Sequence, residues 1–524
     1  MTSTETEATT GAAAPAPAHR WLGFFAVLAA LIMNLLDSTV VNVAAPSIRA
    51  DLGASYSDIQ WIAAGYTLAL AVGLMTGGRL GDLFGRRTML MIGVAGFAVS
   101  SLGCAVTPDP QLLIAARVVQ GLFGAMMIPQ GFGLLRDLFP PQELGKAFGA
   151  LGPVIGLSTI LGPVVAGTLI DANLFGTGWR MVFGINLPLA LFALLAGLKA
   201  LPRGARSGRT VRLDGTGAVL AGVAMFLLVY PLVQGRELGW PSWLAGVGAG
   251  AIAVFALFAG HQARRTRRGA STLVEFSVLK KRSYAGGTLF TLAFFGGIVG
   301  FSLVTGLLLQ LGLGYSPVRA ALAMVWWAVG AFFGSGFGAT MMHKLGRRII
   351  HLGLAIMATS LVGLYLVFVH SHTGLSGWSL APVLGGYGFG MGMIFVPLFD
   401  IIMGEVSDRE VGSASAILES LQQLGASVGV AGLGTIFFGT IGAHAGTATF
   451  FAAAERVTLV TIALVAAAFA LGFLLPRHAR RTGHGSAEGE VAAVDAAAAA
   501  AAGPAEGVES GELDELIERE SVTV

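Results

Sequence analysis

Apolar residues in this 524-residue chain come in blocks of about twenty, and a block that long has few ways to fold. Crossing a hydrocarbon core of ~30 Å takes about 20 helical residues. Such blocks fall near 21–46, 59–78, 88–107, 111–135, 145–170, 180–200, 215–233, 242–262, 285–311, 318–342, 349–370, 379–403, 412–440 and 455–476. Charged or Gly/Pro-rich turns separate them. Only 12% of residues are charged and the mean hydropathy is +0.76, where a soluble domain carries about twice that charge. The expected fold class is an all-α polytopic membrane protein with fourteen spans.

The placement of positive charge tests that count. Of the 32 Arg and Lys, Arg49, Arg180, Arg236, Arg319 and Arg456 fall on one side of the bilayer, Arg117 lies within a span, and Arg519 lies in the tail. The remaining 25 fall on the other side, including "RGARSGRTVR" (203–212), "RRTRR" (264–268) and "KKR" (280–282). Cytoplasmic loops carry such an excess, so both chain ends are expected in the cytoplasm. The 27 Arg against 5 Lys suggest a bacterial source, hence the cytoplasmic membrane of a bacterium. Residues 1–20 and 477–524 read as disordered cytoplasmic ends, the latter Ala-rich and acidic. A short partner-binding helix in that tail is the alternative. One cysteine, Cys104, excludes an internal disulfide and a cysteine metal site.

The chain also repeats itself. "GRLGDLFGRRTML" (78–90) returns as "ATMMHKLGRRIIH" (339–351), with Gly85-Arg86-Arg87 on Gly346-Arg347-Arg348 at an offset of 261. "ELGKA" (143–147) returns as "EVGSA" (410–414) at an offset of 267. Two parallel halves, 21–200 and 285–476, are therefore expected around a two-helix insert with basic loops at 201–284. Parallel repeats are one known plan of secondary transporters.

Several motifs together resemble the major facilitator superfamily, and within it the fourteen-span drug:H⁺ antiporters. "GRLGDLFGRR" is similar to the family's cytoplasmic loop signature, and "GLSTILGPVVAG" (156–167) to the span-five signature of its antiporters. "LDSTVVNVAAP" (36–46), "RVVQG" (117–121), "WRMVFGINLP" (179–188), "LDGTG" (213–217) and "GRELGW" (235–240) resemble the fourteen-span branch. The resemblance implies proton-driven efflux of hydrophobic drugs or antibiotics, cationic ones among them, with drug resistance as the result. It implies no cofactor, no nucleic acid and no enzyme activity; the partners are the substrate, protons and the bilayer, and a monomer is expected. A dedicated exporter of one natural product of the host is the nearest alternative, and a proton-coupled importer a further one.

Conformational switching is expected of Gly78, Asp82, Gly85, Arg86 and Arg87, with Asp82 in a tight basic loop where it can pair with an arginine or cap a helix. Fixing topology alone would also explain these charges. Gly145, Gly149, Gly152, Gly156 and Gly162-Pro163 make one flank of span five smooth, for close helix approach in lipid or for the export bias the resemblance implies; of this span, Gly156, Gly162, Pro163 and Gly167 join the residues expected to switch.

Asp37 is the residue that needs most explanation, because an acid within a span is costly and by default functional. It lies nine residues from Pro46 and Arg117 seven from Pro110, about 14 Å and 10 Å of helical rise from the same membrane face. Matching depth makes them a candidate switchable pair. Proton coupling, direct contact with a cationic substrate and a structural ion pair all remain open. Each proton moving down ~100 mV supplies ~2.3 kcal/mol, enough for a roughly 50-fold substrate gradient. Glu419 is the second acid in a span, on a stripe with Ser415, Gln422 and Ala426; it either lines the path or satisfies an interhelical bond. Asp400 is expected near the interface, and Trp326-Trp327 and Phe332-Phe333 as packing. "GGYGFGMG" (385–392) lacks the preceding strand a nucleotide loop needs. Neither a Ser/His/Asp nor a metal-ligand constellation stands out.

Overall fold

At bilayer depth every backbone N–H and C=O must find its partner inside the segment, and the apolar blocks accordingly become helices. The computed structural model describes residues 19–140, 143, 162–202, 213–274, 276–370, 377–406, 410–441 and 446–476. All of these belong to one compact unit. The N-terminal half comprises α1 (Arg20–Leu52), α2 (Tyr56–Phe84), α3 (Arg86–Val106), α4 (Pro110–Leu138), α5 (Gly162–Ala172 in its described part) and α6 (Gly178–Ala200). The insert is α7 (Gly215–Gln234) and α8 (Trp243–Arg267). The C-terminal half comprises α9 (Arg282–Leu307), α10 (Pro317–Leu345), α11 (Arg348–His370), α12 (Gly377–Met403), α13 (Val411–Ile441) and α14 (Thr447–Gly472). Among the described residues 13 helices are long and apolar enough to cross a membrane; Gly162–Ala172 is a shorter apolar helix, and the rest of the span expected near 145–170 lies outside the described residues. Residues 1–18, 203–212 and 477–524 also lie outside them.

Local chemistry sets the helix ends. Ser55 and Asp58 form a capping box at the start of α2, and Asp109 caps α4 ahead of Pro110. Three boundaries differ from the sequence expectation. Pro46 does not end α1, which runs on to Leu52 and stops at Gly53. α14 begins at Thr447, so Glu455 and Arg456 are helical. The "GRLGDLFGRR" segment is not a loop: α2 continues through Gly78 and Asp82 to Phe84, and the chain turns only at Gly85, whose φ of 91° suits glycine.

The repeat seen in sequence is a repeat in structure. Gly346, the counterpart of Gly85, also has positive φ, at 50°. The backbone of α4 sits against Gly73 and Gly77 of α2. That of α12 sits against Gly334 and Gly338 of α10, 261 positions later. Arg20 pairs with Glu143 at 2.8 Å, and Lys281, again 261 on from Arg20, pairs with Glu410 at 2.5 Å. Each half thus ties the head of its first helix to an acid that follows its fourth helix.

We call the face bearing Arg20, Gly85 and Arg267 the basic side. Hydrogen bonds and ring stacks joining the halves, among the described residues, run from mid-membrane to the opposite side. They link Thr67 to Ser427 at 2.6 Å, Gln60 to Thr435 at 3.5 Å, and Tyr56 to Phe438 with ring centroids 4.1 Å apart. Gln310, in a π-turn that ends α9, donates to the Val43 carbonyl at 3.1 Å. Gly167 of α5 lets the backbone of Pro317 and Val318 approach, and the Val318 N–H donates to Asp171 at 3.3 Å. The insert is peripheral. α7 buries one stripe, Gly217, Ala221, Ala224, Met225, Val229 and Val233, while α8 rests chiefly on α7.

Candidate functional site

Asp37 and Arg117 meet. The sequence placed them at one depth on α1 and α4, and here an Arg117 terminal nitrogen is ion-paired with Asp37 Oδ2, both side chains fully enclosed. Asp37 Oδ1 accepts from Gln120 Nε2 at 2.9 Å and from Asn186 Nδ2 at 3.0 Å. Both amides also donate to Ser101 Oγ, at 2.7 and 3.2 Å. Arg117 donates in addition to Gln120 Oε1 at 2.6 Å and, through Nε, to the Ile62 carbonyl at 3.2 Å. Its guanidinium lies 4.1 Å from the Tyr66 ring centroid, and Phe183 closes the other flank at 5.7 Å. Four helices besides α1 therefore serve one carboxylate: α2, α3, α4 and α6. Removing two charges from water is tolerable only with such pairing and bonding. Two polar atoms of this cluster, Tyr66 OH and Asn186 Oδ1, are buried without a partner among the described residues.

Gln120, Asn186, Ser101 and Tyr66 were not singled out from the sequence. The signal was present for two of them, since Gln120 lies in "RVVQG" and Asn186 in "WRMVFGINLP". What the sequence lacks is the knowledge that these motifs converge on Asp37.

Glu419 is not part of this cluster. It sits on α13 with Gln423 Nε2 at 3.1 Å and Gln422 Nε2 at 3.4 Å, and no cation forms an ion pair with it among the described residues. Two turns along the same helix, Ser427 meets Thr67 of α2, so this polar run leads to the contact between halves.

The residues expected to switch take distinct positions. Arg86 reaches Asp137 of α4 at 3.2 Å, and Arg87 donates to the Leu198 carbonyl at the end of α6 at 2.7 Å. Arg347 does the same for α14, through Phe473 and Leu475 carbonyls at 2.9 and 2.6 Å. Asp82 lies in the last turn of α2. Gly78 leaves an ordinary contact to Pro129; the tight positions are Gly77, against the Ala125 carbonyl, and Gly81, filled by Gln130. On α5, Gly162 faces Thr39 and Leu36 of α1, Pro163 follows it, and Gly167 faces α10; Gly156 lies outside the described residues. Asp400 is exposed near the end of α12. Trp327 packs inward on Tyr387 and Phe301, whereas Phe332 and Phe333 point outward.

Helices spanning a bilayer, a parallel structural repeat and a buried acid–base pair define a polytopic protein of the secondary-transporter class. The chain belongs to the Major Facilitator Superfamily, whose sequence profile matches residues 27–430. It is 48% identical over 437 residues to the "Probable actinorhodin transporter" of Streptomyces coelicolor, covering 83% of this chain and 75% of that one. To the "Tetracenomycin C resistance and export protein" of Streptomyces glaucescens it is 36% identical, covering 84% and 81%. In fold it resembles a bacterial homologue of the lysosomal transporter Spinster, with a TM-score of 0.62 at 16% identity over 87% of this chain and 96% of that one.

Proposed function

We propose that this chain exports hydrophobic drugs or antibiotics, cationic ones among them, across the bacterial cytoplasmic membrane in exchange for protons. The observation that carries the reading is the sealed Asp37–Arg117 pair in a chain of this family. Asp37 stands on α1 and Arg117 on α4, so movement between those helices decides whether the carboxylate has its cation. With Arg117 against it, the Asp37 carboxylate is met by three donors, Arg117, Gln120 and Asn186. With Arg117 withdrawn, a carboxylate in a dry site favours its neutral form and takes up a proton. Uptake at one face and release at the other couples the gradient to export. No cofactor enters this cycle, the protein works as a monomer, and both chain ends lie in the cytoplasm, as the Arg and Lys distribution favours.

Efflux of a fluorescent cationic dye, with and without a protonophore, tests the reading in cells expressing wild type or Asp37→Asn at equal levels. Wild-type efflux should collapse with the protonophore, and the variant should move little dye. Uphill, protonophore-sensitive efflux by Asp37→Asn would remove that residue from coupling and shift the search to Glu419. A second reading, dedicated export of one natural product made by the host, is favoured by the 48% identity to a probable actinorhodin transporter. A panel of unrelated dyes separates the two, because a dedicated pump ignores them.

A further inference from the structure

We propose that Asn186 is the positioning residue that reverses its hydrogen bond to Asp37, from donor to acceptor, when Asp37 gains its proton. This inference rests on the proton-coupling reading above. When the Asp37 carboxylate takes a proton from a hydronium ion at the open aqueous face, one O–H bond of the hydronium breaks, one forms at Oδ1, and a water molecule leaves. That new O–H needs an acceptor, yet both amides beside Oδ1 point an N–H at it, at 2.9 and 3.0 Å. Oδ2 faces a guanidinium, which offers no lone pair.

Gln120 is poorly placed to turn. It shares α4 with Arg117, three residues on, and its Oε1 accepts from that guanidinium at 2.6 Å, so a movement of α4 that draws Arg117 from Asp37 takes Gln120 with it. Asn186 differs at one atom: its Oδ1 is buried and has no partner among the described residues. A half-turn of its amide, a torsion with broad wells, offers that oxygen to the new O–H. The idle acceptor is thus already in the site. The titratable and charged groups around Asp37 are Arg117 from α4, Tyr66 from α2 and Cys104 from α3. α6 brings Asn186 and Phe183, neither of which titrates, so its contribution to a pH profile comes through hydrogen bonding.

The test uses the full chain in proteoliposomes with a fluorescent cationic dye. Two rates are read, uphill transport driven by a pH gradient and dye–dye exchange without one. Asn186→Leu removes donor and acceptor; Asn186→Ser keeps a group that can be either. Uphill transport should fall roughly tenfold in Asn186→Leu, the worth of one hydrogen bond, and stay within about threefold of wild type in Asn186→Ser. Dye–dye exchange, which moves no net proton, should fall less than uphill transport in Asn186→Leu. An Asn186→Leu rate that is retained, with only the midpoint of its pH profile moved, would make Asn186 a mere donor and overturn the proposal. Loss of both rates in step with thermal stability would overturn it too, in favour of a packing role. If Asn186→Leu does not fold, Asn186→Ala against Asn186→Ser gives the same comparison. Wild type that exchanges dye yet never moves it uphill fails the proton-coupling reading itself, a result distinguishable from the others.

Discussion

Arg117 and Asp37 depend on each other because neither has another opposite charge among the described residues. Truncating Arg117 to Ala leaves an enclosed carboxyl group that has lost its ion partner and has only amide N–H groups aimed at it. A buried pair broken from one side typically costs ~3–5 kcal/mol, whereas replacing both partners by neutral groups of similar volume costs far less. Arg117→Ala should therefore lower the detergent-solubilised unfolding midpoint sharply, and Asp37→Asn/Arg117→Leu should recover most of it. Equal losses in the single and double variants would show that charge pairing is not what stabilises the cluster. Both residues were legible because an ionisable group within an apolar run is conspicuous. Ser101 was not, since neutral polar side chains occur throughout these spans and only tertiary packing singles it out.

The helix α2 shows how an element can be read correctly in existence and wrongly in extent. Its basic end was expected as a loop because charge and glycine crowd there; the charges sit on a helix that extends beyond the apolar run. Close packing belongs to the neighbours of the glycine first singled out. A methyl at Gly77 would meet the Ala125 carbonyl, while one at Gly78 meets only Pro129 at 3.8 Å. Gly77→Ala should cost about 1–3 kcal/mol by forcing α2 from α4, and Gly78→Ala should leave the unfolding midpoint near wild type. A reversed order in a thermal melt would contradict this helix register. In the insert, burial pushes the Asp214 carboxyl up, but hydrogen bonds from His261, the Gly217 N–H and Gln262, with the charge of Arg265, hold it below its ordinary value. A carboxyl lowered by folding stabilises above its unfolded value and ceases to do so as pH falls through the folded one. Hydrogen-exchange protection at the start of α7 should thus hold from neutrality to about pH 4 and decline below it. Asp214→Asn should flatten that dependence; an unchanged profile would detach Asp214 from the docking of α7 on α8.

Over the whole molecule, the two-half plan and the insert were legible because two motifs recur at nearly one offset, and the packing repeats at that offset as well. The line along which the halves touch was not, for no motif marks it. It passes through Thr67 and Ser427, whose hydroxyls are 2.6 Å apart. Thr67 stands eleven residues from the start of α2, about 16 Å from the opposite side, so the contact lies deep in the bilayer. Alternating access requires the halves to part where they now meet, and this bond is the deepest that would have to break. Cysteines at both positions, in a Cys104→Ala background, replace two touching oxygens with two sulfurs within reach of a disulfide. Oxidation of Thr67→Cys/Ser427→Cys should abolish dye efflux, reductant should restore it, and either single cysteine should be insensitive to both. Full efflux by the oxidised pair, with the crosslink verified by peptide mass, would mean that α2 and α13 stay joined throughout the cycle. The opening would then have to run between α5 and α10, where Gly167 admits the backbone of Val318.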